Sequence, residues 1–198
     1  LHFGLFTIVI QKTFCFDKKS YFQSKLNKHK MNFKKNLLAF ALMAFVGFAA
    51  NAQEKASPAK TAEGMIGDTK VTIAYSSPAV KGRIVYGDLV PLGEVWRAGA
   101  NEATTFTASK DILVEGEELP AGTYSFFIIP GESTSTLIFN KTAKQWGAFD
   151  YDKTQDVLRV EVPSQQTSKM EERLVYEVKP ESFEIRWEYG KAVAALRN

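Results

Sequence analysis

Histidine and cysteine are almost missing from this chain, and where they are missing matters most. The 198 residues hold one cysteine, Cys15, and two histidines, His2 and His29. Everything after His29 therefore lacks both imidazole and thiol. A Ser-His-Asp or Cys-His mechanism has no base or nucleophile there. A Cys/His zinc site has no ligands, and no disulfide can cross-link the fold. Long helical periodicity is absent too: no stretch carries apolar residues at a sustained 3.6-residue spacing. A basic surface is also missing once the N-terminal part is set aside. Residues 1–52 carry 8 basic and 1 acidic residue, whereas residues 53–198 carry 17 basic and 21 acidic, a net charge of −4. Nucleic-acid binding wants a basic face, so no nucleic-acid partner is expected.

One long apolar run is present, Leu37 to Ala50. It spans 14 residues and follows Asn32-Phe33-Lys34-Lys35-Asn36, with Ala50-Asn51-Ala52 behind it. A basic segment, an apolar segment and an A-x-A site read as a secretory signal over 31–52, with Met31 as the expected start. Residues 1–30 then read as sequence upstream of that start. The run falls short of the roughly 20 residues of a membrane span, so no stable span is expected after cleavage; an uncleaved anchor is the alternative. The expected location is periplasmic or secreted. Residues 53–63 (QEKASPAKTAE) are polar and aperiodic and read as a disordered spacer, leaving 64–198 as one domain. About 150 residues bury roughly 70% of their unfolded surface, enough for a core without cross-links.

From Lys70 onward the apolar residues alternate. Val71, Ile73 and Tyr75 do so, as do Leu158, Val160 and Val162, then Leu174, Tyr176 and Val178, then Phe183, Ile185, Trp187 and Tyr189. Period two with one charged face is the mark of a half-buried strand. Tyr124–Ile129 and Leu137–Phe139 are apolar on both faces and read as central strands covered on both sides. Glu115-Gly116 marks a hairpin, Pro130-Gly131 a strand exit, and Gly190-Lys191 a turn before a last apolar piece, 192–196. Lys141–Trp146 reads as one helical turn. Nine or ten short strands at this spacing predict an all-β fold: a two-sheet antiparallel β-sandwich, jelly-roll-like rather than immunoglobulin-like, with a closed barrel as the alternative.

Ser76 to Ala103 breaks the pattern. Only Arg83–Tyr86 resembles a strand, and a connection this long inside a small domain is often functional. It carries Lys81, Arg83, Trp96, Arg97, Asn101 and Glu102. A second loop carries Trp146 and Asp150. Guanidinium groups grip carboxylates bidentately, and Trp offers a flat face to a sugar or aromatic ring. These eight residues are the expected binding set for a small anionic or glycan ligand. The plainer reading has Trp96 in the core, Arg97 paired with Glu94 or Glu102, and Gly99 and Asn101 in a tight turn. Catalytic residues are not assigned. Glu102 and Asp150 are the best carboxylate pair for acid/base hydrolysis, and Lys81 or Lys110 would serve as a base only if buried. Asp150, Asp152 and Asp156 hint at a calcium loop, but Gln155 replaces the glycine of an EF-hand. No metal and no cofactor is expected.

Four segments carry a resemblance. They are Ser77-Pro78-x-Val80-Lys81-Gly82-Arg83; Leu89-Val90-Pro91-x-Gly93-x-Val95-Trp96-Arg97-x-Gly99-Ala100-Asn101-Glu102-Ala103-Thr104; Leu119-Pro120-Ala121-Gly122-Thr123-Tyr124-Ser125; and Trp146-Gly147-Ala148-x-Asp150-Tyr151. Together they resemble the bacterial domain-of-unknown-function family numbered 2911, over about residues 64–196. The resemblance implies an exported protein of the kind typical of Bacteroidota, and it implies no particular activity. The residues themselves point to a non-enzymatic extracytoplasmic binding module. A carboxylate-dependent hydrolase and a structural envelope or assembly domain are the alternatives.

Overall fold

A computed structural model describes residues 56–198, and Gln23 alone before them. The expected upstream segment (apart from Gln23), the signal and residues 53–55 lie outside the described residues. Nine strands follow in chain order: β1 (Ala59–Ile66), β2 (Thr69–Ser76), β3 (Thr104–Ala108), β4 (Ile112–Val114), β5 (Glu117–Leu119), β6 (Gly122–Ile129), β7 (Thr134–Asn140), β8 (Asp156–Lys179) and β9 (Ser182–Arg197). The fold is all-β, and every pairing is antiparallel. The spacer expectation fails at its end. Ala59–Glu63 belong to β1, paired with β2 from Ala59 opposite Ser76 to Ile66 opposite Thr69. Backbone pairing along the edge of β2 orders a stretch whose side chains carry no apolar signal.

The two separate sheets expected from the sequence are one sheet, in the order β1-β2-β3-β6-β7-β8-β9-β4-β5. It turns over along β8. Residues up to Pro163 pair with β7, and those from Ser164 onward pair with β9. From Gln166 to Val175 β8 advances nine residues while β9, between Gly190 and Arg186, advances four. Unpaired residues of this kind bend a strand and increase its twist. The jelly-roll expectation also fails. Most strands pair with their neighbours in sequence, and only β3–β6 and β4–β9 join strands distant in the chain. Short turns dictate this. Glu115 and Gly116, both at positive φ (52° and 88°), make the two-residue loop that closes β4 on β5, as such hairpins require.

The two layers face each other across an aromatic core. Phe106, Phe126 and Phe139 from the first layer meet Phe183 and Tyr176 from the second. Centroid distances are 5.5 Å for Phe106–Phe183, 5.7 Å for Phe126–Phe183 and 6.3 Å for Phe126–Tyr176. Tyr124–Ile129 is buried on both faces, as its composition demands. Phe126 and Ile128 enter this core, while Phe127 enters a smaller cluster with Ile138 and Ala103 on the outer face of the first layer. Gly190-Lys191 is not a turn; β9 runs straight through it. Gly190 is a point of close approach instead, because a Cβ there would collide with the edge of the Tyr86 ring at its Cε2. Arg83–Tyr86 is no strand and Lys141–Trp146 no helical turn. Among residues 56–198 the only helical turn is a 3-10 turn at Lys153–Gln155.

Truncating Phe126 to alanine removes a ring that touches both layers. An expected loss of about 3–5 kcal/mol in urea denaturation follows from the usual cost of such cavities. Phe149→Ala, at an exposed position, is expected to change stability by less than about 0.5 kcal/mol.

Candidate functional site

The 77–103 connection is held at several points, and three of the expected binding residues are what holds it. Arg83 turns its guanidinium back on its own loop: Nε donates to the Val80 carbonyl (3.0 Å) and Nη2 to that of Ala79 (2.6 Å). Lys81 sits at φ 51°, and its backbone N–H donates to Glu172 Oε1 (3.0 Å). Asn101, at φ 60°, donates from Nδ2 to Ser76 Oγ (3.2 Å). Arg83 and Asn101 thus stabilise bends, and Lys81 occupies one.

Residues 95–98 form a short segment beside β6, extended through Arg97 and turning at Ala98 (φ 53°), with Trp96 and Ile128 exchanging backbone hydrogen bonds of 2.8 and 2.9 Å. Side chains of an extended segment alternate, and these do. Trp96 and Ala98 pack against the main core, and Val95 joins the outer cluster. Trp96 stacks on Trp187 at 5.7 Å and 19°, and its Nε1 donates to the Gly99 carbonyl (3.2 Å). Arg97 follows Val95 outward to the 145–149 stretch, its Nη1 lying against Gly147. That stretch is tied to the connection by a bridge between Glu102 and Trp146 and by the Ala103 N–H donating to the Gln145 carbonyl (3.1 Å). Glu102, Trp146 and Asp150 are exposed. The expected set is therefore divided: Trp96 faces inward, while Arg97, Glu102 and Trp146 gather on the outer face. Among the described residues no carboxylate lies within 4.0 Å of the Arg97 guanidinium, so the expected pairing with Glu94 or Glu102 is not made.

A cavity of about 620 Å³ opens on the inner side. It lies where β8 bends, under Tyr86, Leu92 and Trp96 of the connection and beside the turn after β6. Gln165, Gln166, Thr167 and Ser164 of β8, and Glu188, Tyr189 and Lys191 of β9, supply most of its polar lining, with Glu132 from the turn. The size falls within the range of small-molecule sites. Glu188 stands at φ 53°, with Oε2 accepting the Val85 N–H (3.2 Å). Burial raises the Tyr86 phenol well above its ordinary value, and the Glu188 charge adds to this. Lys191 is drawn to the buried Glu184 carboxylate (3.3 Å), which also binds Lys179 (3.0 Å) and Arg186. The charges facing the cavity are thus mainly the carboxylates of Glu132 and Glu188.

Of the expected residues only Trp96 lines this cavity. The sequence signal that was missed is the polar run Ser164–Thr167 interrupting an otherwise alternating strand, together with the Tyr189-Gly190 pair that admits the Tyr86 ring.

The acidic residues of the 150–156 loop do not form a calcium cradle. Asp152 caps the 3-10 turn by accepting from the Thr154 N–H (2.9 Å). Asp156 accepts from Asn140 Nδ2 (2.8 Å), Arg159 Nη1 (2.9 Å) and the Tyr151 hydroxyl (2.5 Å). No group of three acidic, histidine or cysteine residues suited to a metal occurs among the described residues.

A family model described as "Protein of unknown function (DUF2911)" matches residues 57–196. No curated protein and no solved structure matches.

Tyr151 supplies a titration test of the local geometry. Burial, then the hydrogen bond to Asp156 and its charge, push the phenol up to about 12. The neutral phenol is the favoured form in the folded protein. Its contribution to stability is intact below about pH 10, the ordinary phenol value, and is lost as pH rises through 12. Ultraviolet difference titration of wild type against Tyr151→Phe is expected to show this late phenolate. Asp156→Asn is expected to move its midpoint down. A Tyr151 that titrates at the ordinary value would contradict the bond.

Proposed function

We propose, from the premise that this chain belongs to the DUF2911 family, that it is an extracytoplasmic, non-enzymatic binding module for a neutral, hydroxyl-rich small ligand of the saccharide class. One observation carries the reading: the cavity of about 620 Å³ interleaves ring faces with side-chain amides and hydroxyls. Trp96, Tyr86 and Tyr189 supply the rings, and Gln165, Gln166, Thr167 and Ser164 supply donors and acceptors. Flat apolar faces suit the C–H surfaces of a sugar ring, and a few converging polar groups set its orientation. The charge at the cavity favours a neutral ligand over an anion. Glu132 and Glu188 repel an anion, and Lys191 is engaged by Glu184. The reading narrows the sequence expectation of an anionic or hydroxyl-rich ligand to the second kind at this place.

The non-enzymatic part rests on chemistry the sequence lacks, since no histidine or cysteine follows His29. Glu102 and Asp150, the alternative hydrolytic pair, are exposed and are not among the residues lining the cavity. Extracytoplasmic action rests on the signal-like segment 31–52.

Titration calorimetry of the purified protein against neutral di- to tetrasaccharides and against organic acids tests this. Neutral saccharides are expected to bind. Tyr189→Ala, which removes a half-exposed ring at the cavity, is expected to weaken them about 5- to 10-fold, near 1 kcal/mol. Gly190→Ala is expected to displace Tyr86 and weaken the same ligands, at a stability cost of about 1–3 kcal/mol for the forced shift. Saccharides that bind Tyr189→Ala and wild type alike, or a panel in which only acids bind, would sink the proposal.

A further inference from the structure

The same four residues that present Trp96 to the cavity present Arg97 to the opposite face, and what surrounds Arg97 has no structural explanation. Its Nε is buried and lacks any hydrogen-bond partner. No carboxylate among the described residues forms an ion pair with it. A half-buried guanidinium has given up hydration and ordinarily recovers it in a paired contact. Gln145, two residues before Gly147, repeats the pattern. Its Nε2 donates to Ser125 Oγ (2.8 Å) and to the Thr142 carbonyl (2.9 Å), while its Oε1 is buried without a partner.

The neighbours of Arg97 are equally unusual. Gly147, at φ 66°, leaves a space where a side chain would stand. Arg97 Nη1 lies 3.2 Å and the Phe149 ring 3.3 Å from that one point. Phe149 is 84% exposed and Trp146 58% exposed. Large rings left this open, beside an unpaired cation, mark a recognition surface rather than a core. The ligand charge follows from the local count. Segments 95–103 and 145–151 carry one basic residue, Arg97, and two acidic ones, Glu102 and Asp150. A dianionic phosphate meets one cation and two repelling carboxylates. A planar monoanion fits the guanidinium fork with the least excess charge.

We propose that Arg97, Trp146 and Phe149 form a second binding site, on the outer face of the first layer, for a small monocarboxylate with a flat apolar body. Its carboxylate pairs with the Arg97 guanidinium, and its body lies against the exposed rings. The site is separate from the cavity, and neither reading rests on the other.

Proton–nitrogen correlation spectra of the ¹⁵N-labelled protein report on both partners directly, through the Arg97 Nε–H and the Trp146 indole N–H. Benzoate, acetate and inorganic phosphate are the probes, titrated at constant ionic strength. Benzoate is expected to shift both signals saturably, and acetate to shift Arg97 with about ten-fold weaker affinity, the apolar body being absent. Phosphate is expected to bind no better than acetate. Phe149→Ala is expected to reduce benzoate to the acetate level, and Arg97→Gln to abolish both. The proposal is overturned if benzoate moves neither signal, if Phe149→Ala leaves benzoate affinity unchanged, or if phosphate binds more tightly than benzoate. Should Arg97→Gln fail to fold, Phe149→Ala decides alone, because its ring lies outside the packed core.

Discussion

One buried carbonyl organises the connection between β2 and β3. Ala98 stands at φ 53°, a conformation costly for any residue with a Cβ, and its oxygen points into the core. There it accepts the Tyr176 hydroxyl (2.7 Å) and the Thr104 hydroxyl (2.9 Å). Tyr176 belongs to the bent strand β8, and its ring lies 4.6 Å from that of Tyr75 on β2. Burial raises the Tyr176 phenol well above its ordinary value, so the hydroxyl remains a donor at any physiological pH. An unbonded carbonyl in such a core costs about 1–3 kcal/mol. The two donors remove that cost and hold the strained residue in place. The hold fixes the register of 95–98, and with it the inward aim of Trp96 and the outward aim of Arg97.

Much of the fold was legible from residue order alone. The alternation in Val71–Tyr75 and Phe183–Trp187 gave the apolar faces correctly, whereas Tyr189, beyond the positive-φ Glu188, is half-exposed; Glu115-Gly116 gave the hairpin. The unbroken apolar run at Tyr124–Ile129 implied cover on both sides, and the two clusters that receive Phe126 and Phe127 provide it. What misled was polar sequence doing backbone work. Ser164–Arg173 has no apolar alternation, so β8 read as two strands instead of one of 24 residues. Ala59–Glu63 read as spacer because an edge strand needs only main-chain bonds to order it.

The expected binding residues lie on two segments that meet in space, but their side chains do not share one face. The connection 77–103 does carry residues of interest, and it does meet the 145–149 stretch. Arg83 and Asn101 bond within the connection and to its start, and residue type alone cannot distinguish such a side chain from one reaching for a ligand. Trp96 and Arg97 were joined in one expected site, although extended neighbours point to opposite sides. Gln165, Gln166 and Thr167, read along the chain, look like an ordinary solvated edge, and nothing in their order marks the cavity they line. The net acidity of residues 53–198 and the missing imidazoles exclude more than they assign, and the division of charge between the two faces narrows what remains.

The bend in β8 has a mechanical meaning. A strand shared by both layers ties them together, so opening either layer at the bend disturbs the pairing of the other. A guest lodged at that bend presses on both halves at once. A guest of the kind proposed for the cavity would add its binding free energy to the stability of the folded sheet.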